Sequence, residues 1–205
     1  MDIIKTVFKL AEGGDRILML FPDMYSFLGI ARWISENYGD LFWILWTDAA
    51  VERINHFGKK YGFPISGDAI ALFTTKKCEY INVVDHLNTQ SDVSAFMRAL
   101  NVDKKIVISF GMDFLKIYGY DVNKAIEALI GFSGDNLFIT TLFTRELADK
   151  LQPFHDFYVE ISESKDTYIS YRMYKASLKF SIKGGVAVIS NTFVLDRRVG
   201  YDEGF

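Results

Sequence analysis

The sequence has 205 residues, of which half are hydrophobic and 16% aromatic, so we expect one domain with a substantial core and little disorder. The formal net charge of −3 offers no concentrated basic face, which argues against nucleic acid or an anionic membrane surface as a partner. Cys78 is the single cysteine, which excludes an intrachain disulfide and a zinc site built from cysteines.

The start of the chain mixes charged with apolar residues, as Asp2, Lys5 and Lys9 show. A signal peptide needs an unbroken apolar centre, so none is predicted. No apolar run approaches the roughly 18 residues of a membrane-spanning helix. With only one cysteine, the chain also suits a reducing compartment, and we expect a cytoplasmic protein.

Short apolar runs alternate with stretches of helical periodicity up to Leu151. Uniformly apolar runs are typical of strands covered on both faces, and the 3.6-residue period is typical of amphipathic helices. The predicted elements are helix 3–10, strand 16–21, helix 24–38, strand 41–46, helix 49–61, strand 69–74, an ambiguous segment 78–85, a helix from a cap at Ser91 to about 100, strand 105–110, a helical stretch 112–130 broken at Gly119, strand 137–143 and helix 144–151.

After Pro153 the pattern changes to consecutive strands. We predict strands over 156–163, 167–175 and 186–190, with turns at 165–166 and 183–185. Residues 192–205 are predicted to be a flexible tail. Alternating strands and helices followed by hairpins predict an α/β fold: a three-layer α/β/α sandwich with a mostly parallel sheet and antiparallel hairpin strands at its C-terminal edge.

This order of elements resembles that of the RecA/KaiC-like ATPases. A helix, Gly13-Gly14, a strand, a turn and a helix come first, and the second strand ends near the acidic Asp48. The similarity covers most of the chain and implies a RecA-like sheet. The sequence is also similar to uncharacterised archaeal families, known from Thermococcales, that are related to KaiC and have lost its motifs.

The phosphate-binding loop of those ATPases is missing. In the family the first strand leads to GxxxxGK[S/T], whose glycines let backbone amides approach phosphate. Residues 21–30 read FPDMYSFLGI, with no lysine, with Gly29 as the one glycine, and with Asp23, which would repel phosphate. The resemblance therefore implies a degenerate member of the family.

The family's magnesium-associated aspartate is missing as well. Ser109 stands at that place, and Asp113 follows four residues later. Asp48 matches the family's acidic water-orienting position, where Glu is usual. One acid without a phosphate cradle cannot drive phosphoryl transfer, so we expect no catalytic residues.

Polar side chains near the carboxyl ends of the strands are the candidates for a vestigial cofactor crevice, because open α/β sheets bind ligands there. The alternative is that Asp23, Ser26 and Asp48 cap the helices that follow, since such side chains accept hydrogen bonds from free amides. No metal site and no bound cofactor are predicted. The candidates are Asp23, Tyr25, Ser26, Asp48 and Ser109.

Other reactive residue types form no recognised pattern. His56, His86 and His155 have no metal-binding or catalytic spacing. Cys78 follows two lysines that would favour a reactive thiolate, and a plain structural thiol is the alternative.

The sequence leads to two functional hypotheses. The first is a non-catalytic RecA/KaiC-like module that acts by protein binding or self-assembly, for example as a homodimer. Tyr168, Tyr171 and Tyr174 in the edge hairpin support it, because tyrosine is favoured at interfaces. The second is a degenerate nucleotide-binding domain with weak or no ATPase activity, which would use backbone amides near residues 23–27. A third class, an unrelated hydrolase or transferase, has no residues to support it.

Overall fold

The computed structural model describes residues 3–39, 41–61, 67–88, 92–132, 134–163, 171–182, 185–196 and 201–202. The helices are α1 Ile3–Leu10, α2 Met24–Tyr38, α3 Asp48–Tyr61, α4 Val93–Ala99, α5 Val122–Gly131 and α6 Arg145–Leu151, with a 3₁₀ helix at Met112–Tyr118. The strands are β1 Arg16–Leu20, β2 Leu41–Leu45, β3 Asp68–Leu72, β4 Asn82–Leu87, β5 Ile106–Phe110, β6 Leu137–Leu142, β7 Phe157–Glu163, β8 Tyr171–Ile182, β9 Gly185–Asp196 and β10 Tyr201–Asp202.

The ten strands of the described residues form one sheet in the order β10-β9-β8-β7-β1-β6-β5-β2-β3-β4. The seven strands from β7 to β4 in this order run parallel, and β8, β9 and β10 are antiparallel additions beyond β7. The predicted α/β class, with a mostly parallel sheet and antiparallel hairpin strands at the C-terminal edge, is confirmed.

Helices cover both faces of the sheet. On the first face, α1, α2 and α3 pack against residues such as Trp43 and Ile108. On the second face, α4, α5 and α6 pack against residues such as Val107 and Phe138. The central strands β2, β5 and β6 are buried along their whole length, which explains why they are mostly apolar and show no alternation of polar and apolar residues. The three-layer sandwich is confirmed.

Several predicted boundaries differ from the structure. The ambiguous segment becomes β4, an edge strand that begins only at Asn82. Residues 112–118 form a 3₁₀ helix, which Gly119 ends with a φ of +72°. Ser91, the predicted cap of the fourth helix, and the turn residues 165–166 lie outside the described residues.

Part of the predicted tail, residues 192–205, pairs in the sheet. β9 continues to Asp196, because Thr192–Leu195 extend the ladder with β8, and Tyr201–Asp202 pair with β9 as β10. Within the described part of the chain, no helix has both the length and the apolar character that crossing a membrane requires.

The loops that leave the carboxyl ends of the strands go to opposite faces. Those after β1 and β2 lead to helices of the first face, whereas those after β5 and β6 lead to helices of the second face. In the sheet, β1 neighbours β6 and β5 neighbours β2, so the chain diverges at both places. Such divergence is where an open α/β sheet forms a ligand crevice.

Candidate functional site

The loop between β1 and α2 is occupied by a helix cap. The Asp23 carboxylate accepts a hydrogen bond from the Ser26 backbone amide at 2.9 Å. The Ser26 hydroxyl, which is fully buried, donates to the Asp23 carbonyl oxygen at 2.8 Å. Tyr25 packs edge-on against Phe57 of α3, with 5.9 Å between the ring centroids. For Asp23, the capping alternative from the sequence is therefore what the structure shows.

Phenylalanine rings fill the space between the carboxyl ends of β1 and β6. Phe27 of α2 stacks on Phe110 of β5, with centroids 4.5 Å apart and planes within 5°. Phe143, the residue after β6, lies 6.1 Å from Phe21, 6.0 Å from Phe27 and 6.2 Å from Phe110. Phe114 packs edge-on against Phe110 at 6.3 Å. We call Phe21, Phe27, Phe110, Phe114 and Phe143 the aromatic cluster.

The aromatic cluster lies beside the carboxyl end of β1, the side of the sheet on which open α/β sheets bind ligands. Its rings remove apolar area from water and make edge-to-face and stacked contacts that add to burial. Phe21, Phe27 and Phe110 are each 1% exposed or less. The first crevice, between β1 and β6, is consequently packed as tightly as a hydrophobic core.

The second crevice, between β5 and β2, is closed by close packing of Gly111 against Ala50. Gly111 follows β5 with a φ of +91°, and a Cβ atom placed on it would lie 2.4 Å from the Ala50 Cβ of α3. Ser109 is fully buried, and its hydroxyl accepts a hydrogen bond from the Trp46 indole N–H at 2.7 Å. Ser109 thus lies beneath a tryptophan on the second face.

Asp48 joins the start of α3 to the loop after β3. Its carboxylate accepts hydrogen bonds from the Thr74 hydroxyl, the Thr75 amide at 2.7 Å, the Lys76 amide at 2.9 Å and the Thr75 hydroxyl at 3.2 Å. Partial burial acts to raise the pKa of Asp48, but these hydrogen bonds outweigh it and hold the pKa below the ordinary value. The bonds also fix the chain just after Phe73, whose φ of +55° is a left-handed conformation that costs about 1–2 kcal/mol.

The predicted cap role of Asp48 differs from this arrangement. The Thr47 hydroxyl accepts from the Ala50 amide of α3 at 3.4 Å, while Asp48 accepts from residues 26–28 positions away.

We expect Asp48→Asn to lower the free energy of unfolding by about 1.5–3 kcal/mol, the range for hydrogen bonds to a charged group. Chemical denaturation at neutral pH measures this, with Glu52→Gln on an exposed turn of α3 as the control. Equal stability of both variants would contradict the role given to Asp48.

Asp113 makes a second connection between loops, of the same kind as that of Asp48. Its carboxylate accepts from the Phe143 amide at 3.1 Å, the Thr144 amide at 2.9 Å and the Thr144 hydroxyl at 2.7 Å. Burial raises the pKa of Asp113 despite these hydrogen bonds. The connection fixes the 3₁₀ helix after β5 to the turn that follows β6.

The five residues predicted to line a ligand crevice are brought to the same edge of the sheet but not into one open space. Asp23 and Ser26 bond to each other, Tyr25 contacts α3, Asp48 holds the next loop, and Ser109 is buried. Their role in binding a ligand stays a prediction. No local sequence pattern indicates Phe143, Thr74 and Thr75, because their contacts arise only from the tertiary fold.

The other reactive residues do not meet in a common site. His56 and His86 are exposed and His155 is partly buried. Among the described residues, no group of three or more His, Cys, Asp or Glu side chains is arranged to hold a metal ion. Burial raises the pKa of the Cys78 thiol, which favours the structural alternative over a reactive thiolate.

His155 is held as a neutral imidazole. Its Nε2 lies 2.9 Å from the Thr140 hydroxyl and its Nδ1 lies 2.8 Å from the Leu151 carbonyl oxygen. Burial, with a smaller contribution from the nearby Arg16, lowers its pKa from 6.5 to about 4. The unfolded chain therefore binds a proton at a higher pH than the folded protein does.

The stabilisation from a neutral His155 is complete above pH 6.5 and is lost as the pH falls towards about 4. We expect His155 to contribute at most about 3 kcal/mol to this loss. Denaturation curves at several pH values test this, because His155→Gln should flatten the dependence in that window. His86→Gln, at an exposed position, should leave it unchanged. An unaltered slope in His155→Gln would contradict the assignment.

Comparison with known proteins gives an uncharacterised relative and similar solved structures. No protein-family model matches the chain. An uncharacterised protein from Archaeoglobus fulgidus is 44% identical over 195 residues, which are 95% of this chain and 99% of that protein. A solved structure from Pyrococcus horikoshii OT3 has a TM-score of 0.55 at 14% identity and covers 77% of this chain and 86% of its own. That likeness concerns the fold alone.

A KaiC-like protein from the same archaeon is also similar in structure. Its TM-score is 0.49 at 10% identity, and the match covers 88% of this chain and 86% of that protein.

Proposed function

We propose that this chain, which belongs to the same family as the uncharacterised Archaeoglobus fulgidus protein, is a non-catalytic α/β module that acts by binding another protein or a second copy of itself. It works in the cytoplasm, and a homodimer is the simplest form of the assembly.

The packing of the carboxyl edge is the observation that supports this function. The aromatic cluster fills the space beside the first strand, and Gly111 against Ala50 closes the space beside the second. Asp48 and Asp113 bond to backbone amides of neighbouring loops, as Asp23 does within its own helix cap. Catalysis of phosphoryl transfer would need positioned charges facing a phosphate, and these carboxylates are used to hold loops.

The residues at this edge of the sheet also indicate the origin of the family. We infer that the family descends from RecA/KaiC-like ATPases whose phosphate loop was replaced by Phe21-Pro22-Asp23 and whose magnesium-associated acid was replaced by Ser109. The KaiC-like name of one structural relative agrees with this origin.

Nucleotide titration separates the proposed module from the nucleotide-binding alternative. A ligand at a hundred times its Kd stabilises a folded protein by about 2.7 kcal/mol, which a thermal shift readily detects. We expect Mg-ATP, Mg-ADP and GTP at millimolar concentration to leave Tm unchanged and to give no saturable heat in calorimetry. An active nucleotide-binding ATPase measured in parallel is the control. A saturable rise in Tm would favour the alternative.

The binding role is tested by molar mass. Light scattering after size exclusion, from micromolar to near-millimolar protein, should give a dimer or a concentration-dependent rise towards one. If the chain stays a monomer throughout, a partner has to be recovered from cell extract and shown to bind with the purified components. Failure of both would refute the proposed function.

A further inference from the structure

The hairpin of β8 and β9 forms one border of the sheet. β9 pairs with β8 along its whole length, from Gly185 to Asp196. On the other side of β9, the described strands supply only β10, which pairs with Val194 and Leu195. Residues 185–193 therefore have an outer side that faces no described strand, and we call this segment the outer run of β9. Backbone groups on such a side are the ones that pair with an added strand.

The sequence of the outer run lacks the features that keep strand edges apart. It reads GVAVISNTF and contains no charged residue and no proline. Edge lysines, prolines, inward-pointing charges and bulges are the usual devices against edge-to-edge pairing. Val186, Val188, Ile189 and Thr192 are β-branched, the residue type that favours strands. The outer run is consequently suited to pairing with a further strand.

The opposite border of the sheet, β4, is protected against such pairing. The His86 backbone amide donates to the Asp85 carboxylate at 2.8 Å. The register with β3 shifts between Ala69 and Ile70, which leaves Val84 as an extra residue in β4. An occupied donor and a bulge both disfavour an added strand. Of the two borders of the described sheet, the outer run of β9 is the one whose sequence carries no such protection.

The hairpin that carries the outer run is anchored on the first face of the sheet. Ala176 and Leu178 of β8 are buried in the first-face core. Helix α1 lies against both strands of the hairpin, and α2 lies against β9. The border strand is thus held in its extended shape before any partner arrives. Such preorganisation lowers the entropy cost of binding.

The register of the ladder assigns positions of the outer run to the two faces. Position 189 lies opposite Leu178 of the first-face core, so it belongs to the first face. Tyr158 of the second-face core lies opposite Lys179, which in turn lies opposite Val188. Residues opposite each other in a ladder share a face, so position 188 belongs to the second face. A substitution at 188 is therefore on the face away from α1 and α2.

The symmetry of the contact indicates a second copy of the chain as the occupant. Two identical strands that pair antiparallel are related by a two-fold axis, and such a contact closes at the dimer. Identical uncharged strands meet without repulsion, whereas selection of a different protein commonly uses complementary charges, which the outer run does not offer. Pairing of the outer run with β4 of the next copy would be open-ended, and the protection of β4 disfavours it.

We propose that the outer run of β9 pairs antiparallel with the outer run of a second copy, so that two sheets join into one across a two-fold axis near Ile189. This inference rests on the proposed function and specifies the surface through which the two copies bind. With the axis at Ile189, each Val188 lies diagonally across from the Val188 of the other copy. Diagonal neighbours in an antiparallel ladder are about 7–8 Å apart.

The test places charges at position 188 of the full chain. Val188→Lys and Val188→Glu should each weaken the dimer about tenfold in light scattering, because like charges then meet across the axis. An equimolar mixture of the two variants should recover the molar mass of a dimer. Ser177→Lys is the matched control, since Ser177 shares the second face but lies one strand farther from the axis. Its two copies would be about 14 Å apart, beyond the screening length of about 8 Å, so the dimer should persist.

Hydrogen exchange of the unaltered chain supplies a second measurement that does not depend on how the variants fold. Raising the protein concentration should slow exchange in peptides from residues 185–193 and leave peptides from residues 82–87 unchanged. A dimer that tolerates both charges at 188, folded variants that stay monomeric when mixed, exchange in 185–193 that does not slow, or a monomer at every concentration would each overturn the inference. The proposed function survives all four results if the chain dimerises elsewhere or binds another protein, so the two failures are distinguishable.

Discussion

Replacing Phe27 with alanine is expected to lower the free energy of unfolding by about 3–5 kcal/mol, the range for removing a buried phenylalanine. Phe27 is 1% exposed and contacts Phe21, Phe110 and Phe143 of the aromatic cluster and also Trp43. Its loss leaves a cavity among rings supplied by separate strands, which cannot all move inward together. Urea denaturation of the purified variant measures the change through the shift in transition midpoint.

Phe154→Ala is the matched control, because that ring is 48% exposed and lies in the short 3₁₀ helix Gln152–Phe154 that follows α6. It should change stability by no more than about 0.5 kcal/mol. Should Phe27→Ala resemble this control, the aromatic cluster would be loosely packed and the first crevice would be open to ligands. The nucleotide-binding alternative would then regain support.

Replacing Gly111 with alanine is expected to destabilise the protein by about 2–4 kcal/mol, from left-handed strain together with overpacking. The φ of +91° disfavours any side chain, and the added Cβ would meet the Ala50 Cβ at 2.4 Å. Because Ala50 is on α3 and Gly111 follows β5, relief requires moving a helix or a strand end.

Gly119→Ala separates the two causes. Gly119 has a φ of +72° but nothing within 4 Å of its added Cβ, so it should cost only about 1 kcal/mol of strain. Adding Ala50→Gly to Gly111→Ala should recover part of the loss by removing the collision. If Gly111→Ala and Gly119→Ala cost the same, the second crevice is not closed by this contact.

The sequence predicted the central strands well, because strands buried on both faces appear in the sequence as short runs of mostly apolar residues. β2 is uniformly apolar, β5 and β6 are interrupted only by Ser109, Thr140 and Thr141, and all three were located within one residue at each end. β4 has no such apolar run, because it is an edge strand. Its exposed Asn82, Asp85 and His86 are residues typical of a loop. Predicted strand ends at 175 and 190 were wrong, because the lengths of β8 and β9 are set by their mutual ladder.

The candidate site could be predicted only where its contacts are local. Asp23 and Ser26 are three residues apart, and the sequence already indicated a helix cap there. Phe143 meets Phe21 and Phe27 across more than a hundred residues, and Asp48 meets Thr75 across 27. Such contacts depend on the strand order, which places β6 beside β1 and β3 beside β2. No local pattern contains that information.

The connections made by Asp48 and Asp113 also determine how this edge of the protein can move. Each carboxylate accepts hydrogen bonds from several donors at once, so a loop there cannot move away from the carboxylate by breaking its hydrogen bonds one after another. Opening would have to be collective, and collective openings are the rare, high-energy ones that exchange backbone hydrogens slowly. This edge of the sheet moves in many ligand-binding α/β proteins. Here it is held rigid, so it can present a surface of fixed shape to a partner protein.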